Sequence, residues 1–149
     1  MNDSTLNAPI TDDSPPSLWL GIEQFNQREF YACHDTLEAI WMDAKSSEKN
    51  FYQGILQIAV ALYHLGNHNW KGCVILMGEG IHRLRGFLPH YEDVDVQGLV
   101  IHTSQLLQAI QESGADHVGA IAQQLERGEN SLTYPVICRY SESTSSSDA

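Results

Sequence analysis

Between Lys49 and Lys71 the sequence carries no Asp, Glu, Lys or Arg. Within that run Phe51, Ile55, Ile58, Leu62 and Leu65 recur at three- and four-residue intervals, which places them on one face of an α-helix. A helix without charge on any side is normally surrounded by protein. The continuous apolar part is too short to cross a bilayer, and Gln53, Gln57, His64 and His68 make it too polar. The run therefore predicts a core helix over Phe51–Leu65. Gly66-Asn67 should close it, since either residue accepts the left-handed conformation that ends helices.

The flanking sequence supplies helices to surround it. Pro15-Pro16-Ser17 before Leu18 predicts a helix over Ser17–Gln27 that Ser17 caps and that buries Leu18, Ile22 and Phe25. A second helix should start at Glu29 or Phe30 and reach Ala44, with Lys45–Lys49 as a polar connection. A fourth, Trp70–Leu88, carries the stripe Trp70, Cys73, Val74, Met77, Ile81, Leu84 and Leu88 and stops at Pro89. Its short connection to the core helix predicts antiparallel neighbours. Gly72, Gly78, Gly80 and Gly86 each cost that helix on the order of 0.8–1.0 kcal/mol relative to Ala, which close helix–helix approach would offset. Val96–Ser113 reads as a fifth helix and Asp116–Arg127 as a short sixth. Tyr134–Ile137 is the one candidate strand. The expected fold is all-α, a mostly antiparallel bundle of about five helices in a single domain over residues 17–140. Residues 1–16 and 141–149 are polar and poor in large apolar side chains, and are expected to be a disordered arm and tail.

Charge narrows the function. The formal net charge is −11, with 8 Lys and Arg against 19 Asp and Glu. Phosphate backbones and anionic membranes demand clustered cations, so neither nucleic acid nor a membrane surface is an expected partner. Cys33, Cys73 and Cys138 are odd in number and widely spaced, and no signal-peptide pattern opens the chain. Both features fit a reducing, cytoplasmic setting. No nucleophile elbow, P-loop or dinucleotide fingerprint occurs. Glu79-Gly80-Ile81-His82 matches the Glu-x-x-His element of di-iron bundles, but in one copy where two are needed, and it should face solvent.

The informative residues are polar groups on apolar faces. At 100° per residue Phe30, His34, Leu37 and Trp41 share a narrow stripe, with Glu38 about 40° from His34. On the core helix Gln53, Gln57 and His64 fall in one stripe with Val60 between them. Buried amides and imidazoles need partners, and an unsatisfied one costs about 1–3 kcal/mol. His34 and Glu38 are the expected partners of Gln57 and His64. Three readings stand side by side. The cluster is a sealed hydrogen-bond network that sets helix register. It is a divalent-metal site of His34, Glu38 and His64, a two-His, one-carboxylate set. Or it is a small-ligand pocket in which His34 acts as acid or base and Glu38 tunes it. Cys33 beside His34 is not read as a catalytic pair, because adjacent helical residues point about 100° apart.

The run Phe30-Tyr31-Ala32-Cys33-His34-Asp35-Thr36-Leu37-Glu38-Ala39-Ile40-Trp41 resembles the signature of the family called domain of unknown function 309. That family has a His-acid-x-x-Glu-x-x-Trp helix, then a helix like Gln53-Gly54-Ile55-Leu56-Gln57, a histidine near His64 and a Gly-Asn turn. The likeness covers roughly Leu18–Leu88. The family usually has Glu where this chain has the shorter Asp35. The resemblance implies a helical fold and brings no established activity. With the motif residues included, the candidate site comprises His34, Asp35, Glu38, Trp41, Gln53, Gln57 and His64. The preferred reading is an interaction or scaffold module with a protein partner or a second copy of the chain, since no motif assigns a nucleophile or an electrophile. The alternative is a metal- or small-ligand-binding protein, hydrolase-like if it is an enzyme, that uses His34, Glu38 and His64.

Overall fold

The structure, a computed structural model, describes residues 16–141. The expected arm and tail therefore lie outside the described residues, apart from residues 16 and 141. The chain is all-α: α1 (Pro16–Asn26), α2 (Phe30–Asp43), α3 (Ser46–Gly66), α4 (Trp70–Leu84), α5 (Val96–Ser113) and α6 (Val118–Arg127), with short 3-10 turns after α4, before α6 and after α6. None of these helices is long and apolar enough to cross a membrane.

The charge-free helix is the centre. Along α3, Phe51, Tyr52, Ile55, Ile58, Ala59, Ala61, Leu62 and Leu65 are buried, on more than one face. The helix packs against α2, α4 and α6. It begins at Ser46, a turn earlier than Phe51. Lys45 is extended and its carbonyl accepts the Glu48 and Lys49 amides at 2.8 and 3.1 Å. Polar residues read as a connection, yet they suit an exposed first turn, where the Glu48 carboxylate complements the helix dipole. At the other end the left-handed residue is His68 (φ 61°), whereas Asn67 has φ −96°. The helix thus closes at Gly66-Asn67 as expected, with the left-handed residue one place later.

Close approach of α3 and α4 rests on two glycines. A Cβ on Gly80 would lie 2.7 Å from the Gly54 carbonyl oxygen, and one on Gly54 would lie 2.7 Å from Leu84 Cγ. Gly54 meets Gly80 and Leu84 while His64 lies beside Gly72, so the two helices run in opposite directions. Gly78 and Gly86 have no such neighbour. The expected offset of their helix cost by packing applies to Gly80 and not to them.

The fourth helix ends at Leu84, and Arg85–Phe87 form a 3-10 turn instead of continuing to Leu88. The residue before a proline is biased away from helical geometry, and Leu88 precedes Pro89 and is 44% exposed. The Asp95 carboxylate caps α5 by accepting the Gly98 amide at 3.0 Å. Trp70 ties α4 to α5, its indole N–H donating to the Ile110 carbonyl at 3.0 Å.

Tyr134–Ile137 is not a strand, and the described residues contain none. The segment runs extended beside α1, with both backbone groups of Ile137 taken by the Asn26 side chain. The Cys138 carbonyl then accepts the Asp95 amide at 2.9 Å, and the Asp93 carbonyl accepts the Tyr140 amide at 2.7 Å.

Candidate functional site

The inward face of α2 consists of Phe30, Cys33 and Leu37. At 100° per residue this leaves His34 about 70° and Glu38 about 110° from the inward direction. The expected stripe through His34 and Trp41 is therefore out of phase. Trp41 sits half-buried at the core's edge, with Lys49 Nζ 4.2 Å from its ring centroid. The His34 side chain is 24% exposed and that of Asp35 64% exposed. Glu38 is exposed as well. The expectation of burial thus fails at Asp35 and Glu38, because α2 is a peripheral helix covered on one side only.

Gln57 is buried, but its partners lie on α4. Its Nε2 donates to Glu79 Oε1 at 3.0 Å, and its Oε1 accepts from Arg83 Nε at 3.0 Å. Arg83 also donates to the Asn50 side-chain oxygen. The amide is satisfied without His34 or Glu38, so the expected network between them does not form. Gln53 is half-buried nearby on the same helix.

Two other groupings stand in its place. The first is a facet of α2. One donor atom each from His34, Asp35 and Glu38 lie within 4.8 Å of one another. His34 Nδ1 faces Asp35 Oδ1 at 3.3 Å. Among the described residues neither carboxylate pairs with a Lys or Arg. The second is a hollow of about 170 Å³ between α2 and α3, lined by Phe30, Tyr31, His34, Val60, Tyr63 and His64. Its surface is almost wholly apolar, ring and methyl, and the rings include the two imidazoles. Tyr31 stacks on His34 with ring centroids 5.9 Å apart and meets Tyr63 at 5.5 Å.

His64 belongs to the hollow and not to the facet. The Asn69 side chain caps α4 by accepting the Gly72 amide at 3.0 Å, which turns its NH₂ toward His64 Nδ1, 3.3 Å away. That donation places the proton of a neutral His64 ring on Nε2. His34 and His64 therefore share a cavity, while Asp35 takes the place expected for His64 beside His34 and Glu38.

The Cys33 thiol points into the core, where burial pushes it up to about 12 from 9.0. It stays protonated near neutrality and forms no nucleophilic pair with His34. The hollow's walls Phe30, Tyr31 and Tyr63 were absent from the sequence-derived site. Tyr31 lies three residues before His34 and so shares its side of the helix, which was a usable signal. That Tyr63 would meet it required the packing of α3 on α2.

The fold and site define a class: an all-α protein built on a tight glycine-packed hairpin, with a His–Asp–Glu facet beside an aromatic hollow. Residues 18–76 match the family model "Domain of unknown function (DUF309)", a stretch that holds every residue of the facet and the hollow. The chain is also similar to the "Uncharacterized protein YpuF" of Bacillus subtilis (strain 168). The two are 32% identical over 91 residues, which is 60% of this chain and 49% of the relative. The chain thus spans about half the length of the curated relative it matches. No solved structure matches it.

Proposed function

We propose that the protein binds a divalent metal ion on the exposed facet of α2, through His34, Asp35 and Glu38. The observation that carries this reading is the convergence of three donor atoms within 4.8 Å on a surface where no described cation neutralises the two carboxylates. Two donors on one metal lie about 3.0–3.4 Å apart at bond lengths near 2.1 Å. The 3.3 Å between His34 Nδ1 and Asp35 Oδ1 is of that size. Glu38 is exposed and swings in by side-chain rotation. Stacking on Tyr31 limits the freedom of the His34 ring, which lowers the entropy lost on ligation. A metal held by only three side chains keeps positions open for water or a ligand.

The test is titration of the full chain, freed of metal by chelator, with cobalt(II) and zinc(II), followed by calorimetry and by the visible absorption of cobalt. Saturable binding of one ion per chain is expected, weakened at least about tenfold in Glu38→Gln and in His34→Gln, both of which keep an amide of similar size. Equal affinity in the three proteins would defeat the proposal.

The interaction-module reading rests on a different observation: Tyr31 and Tyr63 are 60% and 43% exposed around the mouth of the hollow. A partner seated on those rings would be lost with Tyr31→Ala and be indifferent both to chelator and to Glu38→Gln.

A further inference from the structure

We infer that the hollow between α2 and α3 receives a single ring or compact branched group of a small ligand whose oxygen atoms coordinate the metal on the facet. This rests on the metal-binding reading above and names the class of ligand the same site would take: a small acid or other oxygen chelator with one monocyclic substituent.

Size is the first support. The hollow measures about 170 Å³, and an apolar cavity of about 150 Å³ stays dry and admits benzene, as in the engineered cavity of an unrelated protein. One six-membered ring is of that size. Lining is the second. Phe30, Val60 and the faces of Tyr31 and Tyr63 offer almost nothing to hydrogen-bond with, so an apolar group gains what water would lose. Rings around the rim favour an aromatic occupant through edge-to-face contact.

Position is the third support, and it links the two features. The His34 imidazole is at once a wall of the hollow and the ring whose Nδ1 meets Asp35 at 3.3 Å. A ligand oxygen on a metal at His34 therefore sits one side chain away from the hollow. Across the cavity the His64 ring forms the facing wall, held there through its Nδ1 by Asn69.

The experiment compares two chelators on the cobalt-loaded full chain: benzohydroxamate, with a phenyl ring, and acetohydroxamate, with a methyl group. Their metal-binding groups are the same, so the difference in affinity reports the hollow. Benzohydroxamate should bind at least about tenfold tighter than acetohydroxamate. In Val60→Phe, which fills the hollow from α3, the preference should shrink to within about twofold while cobalt affinity holds. Tyr63→Ala, at the exposed rim, is the second variant should Val60→Phe fail to fold, and it should weaken only benzohydroxamate. Equal affinity for the two chelators in the parent chain, or a preference that survives both variants, overturns the inference. Cobalt titration without chelator is read first. If the metal does not bind, the metal reading fails on that measurement and the inference falls with it. If the metal binds and the preference is missing, only the hollow's role fails.

Discussion

Asn26, the last residue of α1, holds Ile137 by a reciprocal pair of hydrogen bonds across 111 positions of sequence: its Nδ2 donates to the Ile137 carbonyl at 2.9 Å, and its Oδ1 accepts the Ile137 amide at 2.8 Å. One side-chain amide thus does what a neighbouring strand would do, and the C-terminal segment lies extended on the helices without joining a sheet. Arg139 over Trp19 and Arg28 over Tyr134, at 4.0 and 4.5 Å from the ring centroids, fasten the same segment.

Asn26→Ala should therefore cost about 1–3 kcal/mol, since it leaves two part-buried backbone groups of Ile137 unsatisfied. The Ile137 amide should exchange with solvent much faster, while amides in the middle of α3 follow only the global loss. Native-state hydrogen exchange distinguishes this from a uniform weakening of the fold.

Two glycines of α4 should respond in opposite senses. Gly80→Ala drives a methyl to within 2.7 Å of the Gly54 carbonyl oxygen and should destabilise the chain by about 1–3 kcal/mol. At Gly78 the nearest neighbour to an added Cβ is Leu107 Cδ2 at 4.0 Å, so Gly78→Ala should stabilise it by up to about 1 kcal/mol. Urea unfolding of both variants checks the pair.

Gln57→Leu should leave cobalt affinity within about twofold of the parent. The amide it removes serves Glu79 and Arg83 on α4, and both can turn to water, so the stability loss should stay below about 1.5 kcal/mol. A large fall in metal affinity would mean that Gln57 supports His34 after all.

Cys33 and Cys73 are buried and pushed up to about 12 by desolvation, whereas Cys138 is exposed. A thiol reagent at pH 8 should titrate one fast thiol in the native chain and three in denaturant. Stability should also fall in alkali. Between about 9 and 12 the folded chain keeps two thiol protons that the unfolded chain has released, so the unfolded state binds fewer protons. Their contribution is intact below 9.0 and declines by on the order of 1.4 kcal/mol per pH unit per thiol above it. Burial raises Tyr52 and Tyr134 too, and they steepen the same decline. A pH series of thermal unfolding midpoints, flat to pH 9 and falling beyond, is the expected record.

The central helix was legible because absence of charge is a statement about every face at once. Whatever the angular phase, a stretch without Asp, Glu, Lys or Arg belongs inside, and α3 does lie there. The start of α5 at Val96 was legible, but not every helix end was: Ser17, read as a cap, lies inside α1, which already begins at Pro16. Helix ends also slipped where polar residues continue a helix in solvent, as from Ser46 to Lys49, since composition there is the same for a loop and for an exposed turn.

The site was legible in its residues and not in its partnerships. Periodicity singled out His34, Glu38, Gln57 and His64, yet on α2 the buried stripe runs through Phe30, Cys33 and Leu37, about 70° from His34, which leaves Glu38 outward. Sequence by itself determined that α3 is buried, that the chain is helical and that α2 and α3 carry polar groups next to their apolar stripes. Only the tertiary structure decided that Gln57 pairs with Glu79 and Arg83, that Asp35 stands with His34 and Glu38, and that Tyr31 and Tyr63 meet over His34. Hydrophobic periodicity records which side of a helix avoids water. It holds no record of which helix arrives to cover that side, or of the rotation at which it docks.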